Sequence, residues 1–458
     1  LLPAAPPGIV PHVSRLTAAC ISLSLALVLA PAAFGAAGGG SSGFGGGGGG
    51  GGGGGFSGGG GSGSGGQVSG GVSLVIILLI VLVVLVTVVG GVLAERRRRR
   101  RRNARAARVR LAAAEAAEDD AAFDAQTVSQ QARELFFAVQ AAWTARDREA
   151  LKRMVSPSLM LEWGLRLDDF DRKGWHNQVT VQGEPGVYYV GLVNREADTE
   201  DRVVVLIEAT LNDIVVDRHG HRIKRKESSS ETTRLREYWT LGKRDGRWAL
   251  LSIEQLAEGE HNLSSELVAS PWGDGRLRDE AVIERASAEA APDDAGIAAL
   301  VDLDYAGDGH KAALDLSLVD GRFAPEVLET SARRAIAAWA EAVDGEDDAL
   351  LAVATPEASN ELLYPRGGRS ARLVVRGPTL ERMTLVALDG DAQPPRMVVE
   401  LALSGRRYVE DRHTVAVLEG SRDAVARWTE RWTFALDGAD ATPWRVIGAT
   451  QSTTSGAR

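Results

Sequence analysis

VSQQARELFFAVQAAW at Val128–Trp143 and LETSARRAIAAWAEAV at Leu328–Val343 are one pattern written twice, 200 positions apart. The first places Val128, Ala132, Leu135, Val139 and Trp143 on a single stripe. The second does the same with Leu328, Ala332, Ala335, Trp339 and Val343. Apolar residues recurring every three or four positions make one face of an amphipathic helix. The repeat continues downstream. Glu149-Ala-Leu151 is matched by Asp348-Ala-Leu350, and the stop signal Ser156-Pro157 by Thr355-Pro356. In the first copy this predicts short helices over 150–155 and 158–170. The period then changes to two, which predicts strands at 187–193, 202–217, 232–242 and 248–255, with hairpin turns at Asp217–His221 and Lys243–Arg247. In the second copy the strands fall at 371–376, 382–388, 396–409, 425–436 and 444–448. Glu237-Tyr-Trp-Thr-Leu241 is echoed by Glu430-Arg-Trp-Thr-Phe434, and Trp248 by Trp444. Helices followed by an antiparallel sheet give an α+β fold, here in tandem: domains at 124–258 and 325–451, joined by a linker at 259–324. The linker is broken by Gly and Pro around a helix near Arg278–Ala290, with one short strand at Asp315–Val319; a tail follows at 452–458.

Ahead of the domains lies a second kind of sequence. Residues 1–37 read as a signal peptide or a first membrane span: Arg15, then the apolar Leu16–Ala30, then Ala30-Pro31-Ala32 as a cleavage site. Residues 38–71 are mostly glycine, a composition with no apolar surface to offset ordering, and are expected to form a disordered tether. Residues 72–94 contain no charge; 23 helical residues span roughly 34 Å, enough for a hydrocarbon core. Glu95 and seven consecutive arginines, Arg96 to Arg102, follow. Basic residues beside a span stay cytoplasmic. The expected topology is therefore an inner-membrane anchor with the glycine tract outside and the domains inside. The alanine-rich 95–123 continues as a basic juxtamembrane arm, helical by propensity. Arg96, Arg97, Arg98, Arg99, Arg100, Arg101, Arg102, Arg105 and Arg108 are expected to meet the membrane surface, each contributing on the order of 1 kcal/mol near anionic lipid.

Charge then separates the function classes. Residues 103–458 hold 44 Lys+Arg against 60 Asp+Glu, a net of −16, so no nucleic-acid partner is expected. A single cysteine, Cys20, leaves no internal disulfide and no cysteine-based zinc site. Six lysines against 46 arginines are the usage of a GC-rich bacterial genome. No H-E-x-x-H, G-x-S-x-G or phosphate loop occurs, and the G-x-G-x-x-G in the glycine tract has no strand before it. His219 and His221 flank Gly220 without further ligands. Asp168, Asp169 and Asp171 lack the glycine and glutamate of a calcium loop, and Asp344–Asp348 reads as an inter-helix turn. No catalytic residue, metal or cofactor is expected. On the strand face shared by Leu235, Trp239 and Leu241, and at Trp432 in the second copy, two readings compete: ordinary core, or the lining of an apolar cavity.

LFFAVQAAWTARDREALKRMVSP from Leu135, then WHNQVTVQ from Trp175, then REYWTLGKRDGRWALLSIE from Arg236 together resemble a known family. It is the C-terminal domain of subunit 44 of the translocase of the inner mitochondrial membrane. The resemblance covers 124–258 well and 325–451 more weakly, because WHNQ has no counterpart there. It implies two cone-shaped domains similar to the nuclear transport factor 2 fold, binding of membrane lipid, a protein partner still to be identified, and a scaffold role in transport without catalysis. Two copies and a membrane span depart from that family. An enzyme using an Asp/His pair in a cavity, or a structural envelope tether, are the alternatives.

Overall fold

The computed structural model describes residues 70–223, 232–288, 303–343, 345–413 and 416–452. The expected signal segment, the glycine tract before Gly70 and Asp344 lie outside them. The described chain divides into two units between residues 104 and 105.

The apolar stretch and the arginines lie on one 50-residue helix, α1 (Gly70–Asp119). Part of the 72–94 side chains falls outside the described set; among the described residues no helix is long and apolar enough to cross a membrane. The last turns of α1 belong to the first domain. Val109, Ala113 and Ala116 are at most 1% exposed and sit in its core. The boundary expected at 124 therefore falls inside the folded body. A 3₁₀ turn at Ala121–Phe123 follows, then α2 (Ala125–Ala145), α3 (Arg148–Met154) and α4 (Pro157–Lys173). Their limits are capped as the sequence dictates. Asp124 accepts from the amides of Gln126 and Thr127, and Ser156 accepts from Leu159 with Pro157 at the first helical position.

The first sheet contains β1 (His176–Val193), β2 (Arg202–Val216), β3 (Arg222–Ile223), β4 (Thr232–Arg244) and β5 (Arg247–Gln255), in the order β1-β2-β4-β5 with β3 on β2. All pairings are antiparallel. β1 begins eleven residues earlier than expected, because the Gly183–Gly186 segment that reads as a break is a bulge within one strand. The β4–β5 turn places Asp245 and Gly246 at φ 50° and 72°, the left-handed pair a two-residue hairpin needs.

After β5 come a 3₁₀ segment at Glu258–Leu263, a turn at Pro271–Gly273 and α5 (Gly275–Ala288), the helix expected in the linker. The end of that linker is part of the second domain. β6 (Leu303–Tyr305) pairs parallel with a later strand, and Leu303, Ala313 and Phe323 are buried in the second core. Asp315–Val319, expected as a strand, falls largely within α6 (Gly309–Ser317); burial of Ala313 and Ser317 at i, i+4 outweighs the short Leu316/Leu318 alternation. Then follow α7 (Pro325–Ala342), α8 (Asp348–Leu351) and α9 (Pro356–Leu363). The strands are β7 (Ala371–Asp389), β8 (Arg396–Asp411), β9 (Val417–Gly420), β10 (Ala426–Leu436) and β11 (Trp444–Ser452). Their order is β11-β10-β8-β7-β6, with β9 on β8.

The duplication is visible atom by atom. Trp248 meets Phe123 edge-on at 5.4 Å and donates to the Ala122 carbonyl at 3.0 Å. Trp444 meets Phe323 edge-on at 5.5 Å and donates to the Arg322 carbonyl at 2.8 Å. Val155 bridges to Leu250, and Ala354 to Val446.

Candidate functional site at the domain junction

The residues singled out in the sequence do not gather in one place. Arg96 to Arg101 and Arg108 are exposed on α1, and Arg102 is half-buried. Arg105 is not at a surface. It is 2% exposed, its Nε donating to the Val190 carbonyl at 2.6 Å and a terminal nitrogen to the Ser265 carbonyl at 2.7 Å. Burial lowers its pKa to about 10. Its expected membrane role is corrected: helical phase turns Arg105 onto the same face as Val109, toward the domain.

Leu235, Trp239, Leu241 and Trp432 are each at most 1% exposed, within the two cores. Trp239 packs on Phe136 at 5.3 Å, and Trp432 on Trp339 at 5.8 Å. The same face carries a buried carboxylate in each copy. Glu237 accepts from Trp239 Nε1 at 3.3 Å, and Glu430 accepts from both Trp428 and Trp432 at 3.0 Å. His219 and His221 flank an exposed turn whose amides bond Asp217. Asp168 and Asp171 pair with Arg148, and Asp169 with Arg172 and Lys173. Asp120, Asp198 and Asp201 bring carboxylates together as a metal site would. The Lys243 ammonium occupies their midst, bonded to Asp120 and 2.9 Å from Asp198, which raises its pKa despite burial.

The densest buried chemistry lies where the two domains meet, and the sequence did not announce it. Glu254, next to last in β5, is 1% exposed. It accepts from Asn262 at 2.6 Å, lies 2.8 Å from His261 Nε2 and 3.7 Å from Arg376 of β7. Burial pushes its carboxyl upward, but His261, Arg376 and Asn262 outweigh that and hold it down at about 2. Glu258 accepts from the Tyr408 hydroxyl at 2.9 Å and from the Gln255 amide at 2.9 Å. Tyr408 in turn is hydrogen-bonded to Arg376. His261 can come so close because residue 377 is glycine at φ 58°; a Cβ there would stand 2.6 Å from that of His261. The bulge between Arg376 and Thr379 sets this position.

A second part of the junction is built on α4. Glu162 and Arg166 lie one turn apart on it. From the second domain come Arg412, Glu410 and Arg422, the last two ion-paired to each other. Arg412 approaches Glu162 only to 4.0 Å. Ser158 of α4 donates its amide to Glu346 at 2.8 Å across the same boundary. A signal did exist for Arg166: it occupies the apolar face of α4 with Trp163, Leu167 and Phe170, where a charge is out of place. The Glu254–His261 contact is a carboxylate–histidine pair, but it sits in this seam and not beneath a sheet, and Asn262 and Arg376 share the carboxylate.

Residues 109–255 match the model of the Tim44-like domain family. No curated protein matches. Among solved structures, an "Ntf2 like protein involved in plasmid conjugation" aligns with 69% of this chain and 90% of its own at 9% identity, with a TM-score of 0.16, too low to bear on the fold.

Proposed function

We propose that this chain is a non-enzymatic, membrane-anchored binding module of the Tim44-like kind, its paired domains engaging anionic lipid or a protein partner on the cytoplasmic face. One observation carries the reading: the helix with the arginine block continues, without a break, into the core of the domain that matches the family. In this reading residues 72–94 cross the inner membrane, and Arg96–Arg102 hold the cytoplasmic leaflet by charge.

The test is topology in a bacterial host. Protease added to intact spheroplasts is expected to spare the folded 105–458, and lysis to expose it. Cleavage within the domains of intact spheroplasts would overturn the proposal. Replacing Arg96–Arg102 by glutamine is expected to weaken retention on phosphatidylglycerol vesicles relative to wild type, with little change on phosphatidylcholine.

A further inference from the structure

Trp272 is 90% exposed, more than any other large hydrophobic side chain among the described residues. It stands on a built turn. Pro271 opens it, the Gly273 amide donates to the Ser270 carbonyl at 2.9 Å, and the Asp274 amide donates to that of Pro271 at 3.1 Å. An indole held out into water on an ordered turn forgoes a large burial, and tryptophan is among the residues most enriched at binding hot spots. The surroundings are joined to this turn by direct contacts. Asp274 lies 3.3 Å from Arg195, which also approaches Glu200 and Glu341. The adjacent Asn194 bonds both Asp119 and the Ala269 carbonyl. Lys243 pairs with Asp198 and Asp201 of the same 194–201 loop. In these pairs the cations are sunk and the carboxylates stand out. Arg195, Arg202 and Lys243 are at most 25% exposed, whereas Asp198 is 73% exposed and Asp119 and Glu196 are exposed as well. Arg276 and Arg278 at the start of α5 are matched by Asp279 and Glu280 and do not offset this charge.

We infer that this face of the first domain docks an arginine-rich segment of a partner protein, one guanidinium lying on the Trp272 ring and its neighbours pairing with the outward carboxylates. Guanidinium stacks on an indole face through charge and planarity together. The same negative rim repels an anionic lipid surface, so the turn is set for a basic protein and not for the membrane. Such docking is the protein-partner half of the proposed function; the membrane half stands or falls on the spheroplast test.

The full chain purified in neutral detergent is titrated with hexa-arginine by calorimetry. One saturable site is expected at low salt. Trp272→Ala should weaken it at least about fivefold, and Trp272→Phe should retain most of it. Glu196→Gln should weaken it as well, and hexa-lysine should bind less tightly than hexa-arginine. Trp272 and Glu196 are surface positions, so these variants keep the fold. Equal affinity in Trp272→Ala and wild type would mean that the peptide reads bulk charge alone, and would overturn the site. So would the absence of saturable binding up to about 1 mM peptide. If Trp272→Ala instead lowers retention on phosphatidylglycerol vesicles, or the sedimenting mass, with peptide affinity intact, the turn belongs to the membrane or to a second copy and the proposal falls.

Discussion

Glu254 illustrates how one side chain ties a local bond to the behaviour of the whole. Its carboxyl is held at about 2, below its ordinary 4.5, against the pull of burial, by His261, Arg376 and Asn262. A carboxylate with a depressed folded pKa stabilises above its unfolded pKa, and that contribution fades as pH falls toward the folded value. Denaturant unfolding of the full chain should therefore lose stability between about pH 5 and 2 through this group. Glu254→Gln removes the charge and leaves Arg376 one fewer counter-ion, a cost on the order of 3 kcal/mol near neutral pH. The same variant should lose less on acidification, and a slope equal to wild type would show that Glu254 is not the group responsible.

At the scale of elements, legibility followed periodicity. The helices at 125–145 and 325–342 and most of the strands were readable because their stripes and alternations are regular. The long strands β1 and β7 were not, since Gly183 and Gly377-Pro378 look like ends and act as bulges. The WHNQ motif looked like a family mark, and its physical reason came only from the structure. Asn177 accepts the Trp143 indole at 2.7 Å and donates to Asp213 at 2.6 Å. The second copy has Val343 in place of Trp143, with no such donor to satisfy, so the motif has no task there. The end of α1 was misread for a related reason: alanine-rich sequence shows helix propensity but hides which face is buried. Its core role yields a prediction. A fragment starting at 124 lacks Val109, Ala113 and Ala116 and should aggregate or unfold early, whereas one starting at 104 should fold. In the full chain Val109→Asp, a charge placed at a position 1% exposed, should cost more than about 3 kcal/mol. Equal thermal stability of the two fragments would remove α1 from the domain.

At the scale of the molecule, the question is whether the two copies behave as one body or as two beads. Pairing in space across 150 positions, as between Glu258 and Tyr408, leaves no trace in a single sequence, which is why the junction was illegible there. The seam joins Glu162, Glu254, Glu258 and Glu410 to Arg166, Arg376, Arg412 and Arg422, four acidic side chains against four basic ones, most of them deeply buried. Such a network adds little net stability compared with apolar packing, but breaking one member leaves its partners charged and dry. The domains cannot separate without solvating all of it at once, so their unfolding should be coupled. Calorimetry of the full chain should show a single transition for 105–458. Arg376→Ala strips Glu254 of one cation and Tyr408 of a partner, and should split that transition in two, with the first domain melting apart from the second. Two transitions already present in wild type would mean that the seam orients the domains without coupling their folding.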